Sequence, residues 1–530
     1  MKNQLTLFLL FTSFYLANAQ RNVILIIADD LGSDWCGFQE DRVDTVNMPN
    51  VRKLLSRGVR FSNAWANPVC SPTRAGMLTG RYSFRTGVGN VVMNNNQLDT
   101  AEITIPKLLK NANAPTKYVS ANVGKWHLHT PQVANYNNPS KMGWDYYAGT
   151  FTGQPVSTYT NWNKVTNGVA STSTNYLTTE TTTDAINWMS QQGTKPFFLW
   201  LAYNAPHSPY HLPPDSLIIN RSLSGTTMDI NQNPKAYFKV MAEAMDNRIG
   251  KIFDWLQANN KVDSTDIIFI GDNGNTPNTA QTMPTMRSKS TVYQQGLHVP
   301  FIIAGPSVAN QGRVSTALVN AQDLFSTIIE LAGYTNWRTQ IPTNKPVDSK
   351  SLVPILKNTA TEARPWAYAE VFDVSTTSET NARAIRNATY KLIYFDSSKI
   401  QEFYNLTTDP NERTNLLNRT LTATELTNYQ YLCSEMGTLL GKTLCTTVAT
   451  NDLNQAAKPT ISPNPARQTI AVTYNDALPF DYQISAINGK MMKKGVSTKD
   501  IIVSELPNGL YLLKIQKQGN VFTEKIVVEK

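Results

Sequence analysis

The sequence predicts a large α/β sandwich around a mixed, mostly parallel sheet, with a smaller antiparallel-sheet subdomain and an all-β domain following it. Two observations carry this. Residues 23–27 (VILII), 197–203 and 266–270 are near-continuous apolar runs that stop abruptly at polar residues. A run apolar throughout has both faces covered, as a strand does in a parallel sheet flanked by helices. Beyond residue 460 the runs become short and alternating, the period of half-buried strands.

Residues 1–19 form an export signal: Lys2, an apolar core over 5–16, and Ala17-Asn18-Ala19 before Gln20. The core is too short for a transmembrane helix, and no later stretch is long and uniform enough, so no membrane span is expected. The division expected is 20–358 for the main domain, 359–447 for the subdomain, 448–461 for a linker and 462–530 for the β domain. Ser462-Pro463-Asn464-Pro465 marks the last junction. Within the β domain, 469–474, 482–487, 501–503, 510–515 and 521–528 read as strands, with Asn488-Gly489 and Asn508-Gly509 as hairpin turns.

The 530 residues carry a formal charge of +9. Residues 457–530 hold ten Lys or Arg against six Asp or Glu, so +4 lies there and +5 upstream. That surplus suits an anionic substrate. A basic stripe with interleaved aromatics, zinc-finger spacing and a recognition helix are all missing from the sequence, so nucleic acid is not an expected partner.

The first apolar run ends in Asp29-Asp30-Leu31-Gly32 and the 266–270 run in Gly271-Asp272-Asn273-Gly274. Ligands gather at the carboxyl ends of strands in α/β sheets. Asp29, Asp30, Asp272 and Asn273 form an all-oxygen set, suited to Ca²⁺ or Mg²⁺. Turn or helix-cap roles are the alternative for each pair. Lys125 and His127, two apart after the run 118–123, would point the same way on an extended segment. One offers fixed charge and the other a mobile proton; a solvated Lys beside a packed His is the alternative. His207 sits between Pro206 and Pro209 after the 197–203 run, which holds it rigidly, with His211 nearby.

Four cysteines, Cys36, Cys70, Cys433 and Cys445, would fit two bridges in an exported protein, Cys433 with Cys445 and Cys36 with Cys70. Against the second bridge stands the run 70–81, CSPTRAGMLTGR. It resembles the active-site signature of the type I sulfatases, through Cys70, Pro72, Arg74 and the Leu-Thr-Gly-Arg that ends at Arg81. Gly124-Lys125-Trp126-His127, Pro206-His207 and Lys289 follow in the family's order, as does Glu402-Phe403-Tyr404-Asn405-Leu406. The resemblance spans about residues 22–417. The family's Glu-Gly-Gly and Arg before Val-Pro-Phe are replaced by Gln294-Gln295-Gly296 and His298.

The resemblance implies an alkaline-phosphatase-like fold and sulfate ester hydrolysis. It implies that a formylglycine-generating enzyme oxidises Cys70 to formylglycine. Asp29, Asp30, Cys70, Asp272 and Asn273 would bind a divalent cation, usually Ca²⁺, with Mg²⁺ as the alternative. Arg74 would favour an ionised hydroxyl at position 70. Lys125 and Lys289 would bind sulfate, with Arg287 able to share the role of Lys289. His127 would contact the formylglycine, and His207 would protonate the leaving oxygen. The tail, from Pro463-Asn464-Pro465 to Leu510-Tyr511-Leu512-Leu513-Lys514-Ile515, resembles the sorting domain of the type IX secretion system, whose machinery is then a partner. A carbohydrate-binding sandwich is the alternative for the tail.

The rivals for the whole are a phosphate or phosphonate ester hydrolase of the same fold and a non-catalytic binder of sulfated glycans. Export suggests a sulfated polysaccharide or its oligosaccharides as substrate. Residues 159–183, rich in Thr, Asn and Ser, read as an insertion near the pocket. Trp126, Trp162, Tyr293 and His211 are available to line a sugar subsite, although aromatics are more often core.

Overall fold

Ten strands form the central sheet of the computed structural model: β1 (Asn22–Ala28), β2 (Gly58–Trp65), β3 (Val119–Gly124), β4 (Tyr146–Gly149), β5 (Trp162–Thr166), β6 (Val169–Ser173), β7 (Phe197–Ala202), β8 (Thr265–Gly271), β9 (Phe301–Ala304) and β10 (Arg313–Asn320). The structure describes residues 21–38, 46–93, 96–131, 135–153, 158–218, 222–373, 381–444, 459–474, 478–486, 490–517 and 520–530. The predicted signal at 1–19, most of the predicted linker and Asn488-Gly489 lie outside them.

The strand order is β10-β2-β9-β8-β1-β7-β3-β4-β5-β6. The centre is parallel; β9 runs antiparallel to both its neighbours, and β5 and β6 add a hairpin at one edge. Every residue of β1 is buried. Val23, Leu25 and Ile27 face a core that includes α1 (Cys70–Thr79) and α4 (Asp323–Leu331). Ile24, Ile26 and Ala28 face α2 (Leu177–Ser190) and α3 (Pro234–Ala258). Each fully buried aliphatic side chain of this kind contributes about 1.5–3 kcal/mol. This two-sided burial is why the runs read as continuous rather than alternating.

Register sets the site. Ala28 lies opposite Gly271, Ile27 opposite Ala202, and Ala202 opposite Gly124. The ends of β1, β3, β7 and β8 are therefore level, and whatever follows each strand emerges at one edge of the sheet.

β11 (Ala367–Val371), β12 (Ala382–Arg386), β13 (Tyr390–Phe395) and β14 (Gln401–Asn405) form an antiparallel sheet in chain order. Its Ala369, Ala384, Ile393 and Tyr404 share a core with Trp65, Val69 and Cys70. Tyr429 of α5 (Ala423–Leu440) meets Phe403 edge-on, with ring centroids 5.6 Å apart. This sheet belongs to the first of two compact units, which runs to Leu417 and includes Ala423–Met436. The second unit takes Asn418–Thr422 and Gly437–Lys530.

The tail pairs a three-stranded sheet, β15 (Thr460–Ser462), β16 (Thr469–Thr473) and β19 (Asp500–Ile502), with a four-stranded one, β17 (Phe480–Ala486), β18 (Met491–Ser497), β20 (Gly509–Lys517) and β21 (Asn520–Val528). Ile470, Val472, Ile484, Leu513, Ile515 and Ile526 fill the core between them. Asn508-Gly509 does not turn a hairpin, contrary to its sequence signal. β19 pairs with β16 and β20 with β17 and β21, so the chain there crosses between sheets. β15 and β18 have no clear sequence signal because β15 is short and β18 is mostly exposed or half-exposed.

Cys36 and Cys70 are both free thiols, and Cys433 is disulfide-bonded. The alternative of a Cys36–Cys70 bridge is thereby removed. No helix among the described residues is long and apolar enough to cross a membrane.

Glu370 on β11 is fully buried, accepting from the Phe84 amide at 2.8 Å and the Tyr368 hydroxyl at 2.9 Å. Burial pushes its carboxyl from its ordinary 4.5 up to about 7, with Arg383 pulling the other way. The folded state thus binds this proton more tightly than the unfolded chain, so stability falls as pH rises from 4.5 through 7. Glu370→Gln should remove that slope. Between pH 5 and pH 8 its unfolding free energy should gain about 2–3 kcal/mol relative to wild type, read by denaturant titration at both pH values.

Candidate active site

The level ends of β1 and β8 press acidic residues together. The Asp272 amide donates to the Ala28 carbonyl at 3.1 Å, continuing the ladder, and the Asp30 amide donates to Asp272 Oδ1 at 3.1 Å. Asp30 reaches this position with φ 63°, a left-handed conformation few residues other than glycine adopt. Asn273 Nδ2 donates to Asp30 Oδ1 at 2.7 Å. Asp29, Asp30, Asp272 and Asn273 are all essentially inaccessible to solvent. Three of their oxygens, Asp29 Oδ1, Asp30 Oδ2 and Asn273 Oδ1, are buried without a hydrogen-bond partner. Orphaned buried acceptors are rare and costly. Three from one constellation fit a hard cation with oxygen ligands. Possible ligand atoms of Asp29, Asp30 and His207 lie within 4.8 Å of one another, as do those of Asp29, Cys70 and Asp272.

Three cationic side chains surround this set. Arg74, inside α1, donates to Asp272 Oδ2 through Nε at 3.0 Å and Nη2 at 2.7 Å, and to the Lys125 carbonyl through Nη1 at 3.0 Å. Lys125 Nζ pairs with Asp29 Oδ2, and Lys289 Nζ with Asp30 Oδ1. Burial disfavours the charge on Asp30, but Lys289, His207 and Lys125 outweigh it and hold its carboxyl below the usual range. Asp272 is pushed up to about 6, first by burial and then by Asp29, against the pull of Arg74. The two carboxylates diverge because Lys289, His207 and Lys125 outweigh burial at Asp30, whereas burial and the charge of Asp29 outweigh Arg74 and Lys125 at Asp272.

Cys70 opens α1. Its Sγ lies 3.2 Å from His127 Nδ1. Burial pushes the thiol up, with Lys125 and Lys289 opposing. Burial, then the charges of Lys125 and Arg74, hold His127 well below the ordinary histidine value, so the imidazole is neutral. The Ser71 hydroxyl donates to the His127 carbonyl at 2.9 Å and fixes the segment. Lys125 and His127 do reach the same site, but not by strand alternation. The chain leaves β3 at Gly124 with φ 106°, and His127 itself has φ 56°. Gly153 lies against the ring: a Cβ there would stand 2.5 Å from His127 Cε1 and Nε2.

His207 follows β7. Its Nδ1 lies 2.7 Å from the Ser208 carbonyl, which can only accept, so Nδ1 carries the proton and Nε2 faces Asp30 Oδ2 at 3.7 Å. Burial lowers its pKa to about 4, with Asp30 pulling upward. Tyr159 supports this loop, its hydroxyl 2.8 Å from the Asn204 carbonyl and 2.7 Å from that of His207. The sequence offers no signal for this role, nor for Ser71 and Gly153.

The structure brings together all ten residues singled out as catalytic or metal-binding. Arg287 does not join them; its guanidinium is bound to the Glu412 carbonyl and lies over the Tyr293 ring at 4.2 Å. His298 packs between Ser33 Oγ and the Ser62 carbonyl. Trp126 and Trp162 are core residues rather than subsite walls, their indole N–H groups bound to Asn138 Oδ1 and the Asn175 carbonyl. Tyr293 donates to Glu402, and His211 is taken up by the Tyr176 hydroxyl and the Tyr159 ring. Residues 159–183 are not a loose insertion: they supply β5, β6 and the start of α2 as well as Tyr159.

Buried cations, paired carboxylates and a cysteine at a helix start make a site for an enzyme acting on an anionic ester. Residues 21–334 match the family model described as Sulfatase, which takes in more than half of the chain, and the chain belongs to that family. Residues 286–434 match the model described as N-sulphoglucosamine sulphohydrolase, C-terminal, and residues 460–529 the secretion system C-terminal sorting domain. The chain is 29% identical to N-acetylgalactosamine-6-sulfatase of Homo sapiens over 382 residues, covering 66% of this chain and 68% of that protein. It is 28% identical to arylsulfatase J of Mus musculus over 352 residues, 61% of this chain and 56% of that one. Among solved structures, Ps i-CgsB in complex with k-i-k-neocarrahexaose superimposes with a TM-score of 0.64 at 25% identity, covering 82% of this chain and 96% of that one. A protein solved with its substrate D-glucosamine-2-N,6-O-disulfate shares the fold, with a TM-score of 0.61 at 20% identity, covering 82% and 99%.

Gly153→Ala should displace the His127 ring. Displacements of about 1 Å cost on the order of 10²-fold in rate, so kcat on an aryl sulfate should fall by about that factor while the circular dichroism spectrum is unchanged.

Proposed function

We propose that this sulfatase is an exported enzyme that hydrolyses sulfate esters on a sulfated polysaccharide or its oligosaccharides. Cys70 is converted to formylglycine, and Asp29, Asp30, Asp272, Asn273 and residue 70 hold Ca²⁺, with Mg²⁺ as the alternative. The observation that carries the reading is the set of three orphaned buried oxygens grouped with Cys70, Arg74, Lys125 and Lys289.

The unmodified thiol is a poor nucleophile here. It is buried, its pKa is raised, and its neighbour His127 is kept neutral. Hydrated formylglycine would supply two hydroxyls on one carbon, one to attack sulfur and one through which sulfate can be released; the cation would supply fixed positive charge. The remaining steps belong to the chain's own residues. Lys125 and Lys289 each have three N–H donors, of which one is directed at an aspartate, leaving others for the ester's nonbridging oxygens. Being buried and already positioned, they stabilise charge without reorganising during the reaction. Arg74 fixes Asp272 and the Lys125 carbonyl. His127, with Nδ1 facing residue 70 and a low pKa, takes a proton from the hydroxyl there. Lys289 supplies the proton for the leaving oxygen, and His207 joins it as donor from Nε2 only in its doubly protonated form, which a bound sulfate anion favours; such transfers contribute about 10²–10⁴-fold.

The carbohydrate class rests on the solved relatives that bind neocarrahexaose and a glucosamine disulfate. The sorting domain supports release to the outside, through a type IX system, after removal of residues 1–19.

Cys70→Ala should lower aryl sulfate turnover by at least about 10³-fold with the fold intact. Wild-type protein from a host with a formylglycine-generating enzyme should show an aldehyde at position 70 by peptide mass and should prefer aryl sulfate over aryl phosphate. Retained turnover in Cys70→Ala, or an unchanged thiol in active wild-type enzyme, contradicts the reading. Calcium at a hundredfold excess over its Kd should add about 2.7 kcal/mol to unfolding stability. Asp30→Asn should abolish that calcium response.

A further inference from the structure

A cavity of about 340 Å³, apart from the Cys70 centre, opens between the loop after β1, the segment before β9 and the antiparallel subdomain. Ser33, Asp34, Gln294, Gln295, His298 and Arg386 line it, and none of the ten active-site residues does.

Arg386 is the residue that asks for a ligand. It is 3% exposed. Its Nε and Nη2 donate only to the carbonyls of Asn387 and Ala388, each at 2.9 Å, and its guanidinium lies 5.7 Å from the Trp65 ring centroid. Among the described residues no carboxylate pairs with it. Glu412, the carboxylate that acts on it, is taken by Lys391 at 2.5 Å and the Gln294 amide at 2.5 Å. Lys391 stands closest to Glu412 and feels Glu402 as well, which leaves Arg386 with no carboxylate of its own among the described residues. A buried charge left without a partner is costly, and an anion in the cavity would relieve it.

The rest of the lining is suited to hydroxyls. His298 Nε2 donates to the Ser62 carbonyl at 2.8 Å, so Nδ1 accepts from the Ser33 hydroxyl at 2.7 Å and leaves the lone pairs of Ser33 Oγ as acceptors. Asp34 Oδ2 accepts from the Gln281 amide at 2.9 Å and adds a second acceptor to the lining. A carboxylate here disfavours a bare anion and favours a ligand with donors as well as charge. The volume lies at the low end of small-molecule sites, about 300–1,000 Å³, which suits one sugar ring.

We propose that this cavity is an ancillary glycan site that binds one anionic sugar residue, its sulfate or carboxylate at Arg386 and its ring hydroxyls at Ser33 and Asp34. The site is separate from the Cys70 centre, so the reading stands or falls independently of the catalytic one.

The test is calorimetric titration of full-length Cys70→Ala protein with three probes: methyl β-D-glucopyranoside 6-sulfate, methyl β-D-glucuronide and uncharged methyl β-D-glucopyranoside. Thr407 is exposed at the cavity's edge, and Thr407→Trp would block it. At least one charged probe should bind tenfold or more tightly than the neutral one. That binding should weaken at least tenfold with Thr407→Trp, while Thr407→Trp in otherwise wild-type enzyme leaves aryl sulfate kcat/KM unchanged. Arg386→Gln should abolish the preference for charge. Binding of only the sulfated or only the uronate probe identifies the anionic group. Equal affinities for charged and neutral probes, binding untouched by Thr407→Trp, or no binding of any probe overturns the proposal.

Discussion

The alignment of two adjacent parallel strands governs the rest of the catalytic unit. Because Ala28 and Gly271 lie opposite each other, the residues after them must share one small buried volume. Those residues are Asp29, Asp30, Asp272 and Asn273. Like charges this close in a medium of low polarity repel strongly, so the fold surrounds them with Arg74, Lys125 and Lys289. Even so, three oxygens remain without partners. Three carboxylates and three cations balance in number, so what is left unmet is coordination of those oxygens, which the proposed cation would supply.

The surrounding structure holds this arrangement from several directions. α1 presents Cys70 and Arg74 one turn apart, so the same helix carries the proposed reacting residue and the clamp on Asp272. The antiparallel subdomain packs on Trp65, Val69 and Cys70. It also reaches the lysine loop: the Glu412 carboxylate accepts from the Gln294 amide and its carbonyl from Arg287, on either side of Lys289. Sequences far apart in the chain therefore fix the position of one ammonium group. Arg386 of the subdomain lies at the same interface, where with Gln294 and His298 it lines the cavity apart from the Cys70 centre.

Much of the site was legible because the strands that carry it are buried on both faces. Their apolar runs end where the candidate ligands begin, so 23–27 points to Asp29 and 266–270 to Asp272. The short spacing of Cys70, Pro72 and Arg74 reads locally because one helix turn carries all three. Lys289 sits in a segment whose resemblance to the family's motif is weakest in the sequence, yet its ammonium reaches Asp30. What could not be read depends on contacts between distant segments. Nothing local marks Tyr159 as the support of the His207 loop, or Gly153 as the floor beneath His127. Trp126 and Trp162 were available for a subsite until tertiary packing enclosed them. Asn508-Gly509 has the composition of a hairpin turn, but strand pairing decided otherwise.

The most direct measurement is a crystal structure of the calcium-loaded protein recorded at a wavelength where calcium scatters anomalously. The expected result is one anomalous peak about 2.3–2.6 Å from Asp29 Oδ1, Asp30 Oδ2 and Asn273 Oδ1, adjoining residue 70. A calcium-saturated crystal in which those oxygens bind only water, with calcium elsewhere or absent, would contradict the account.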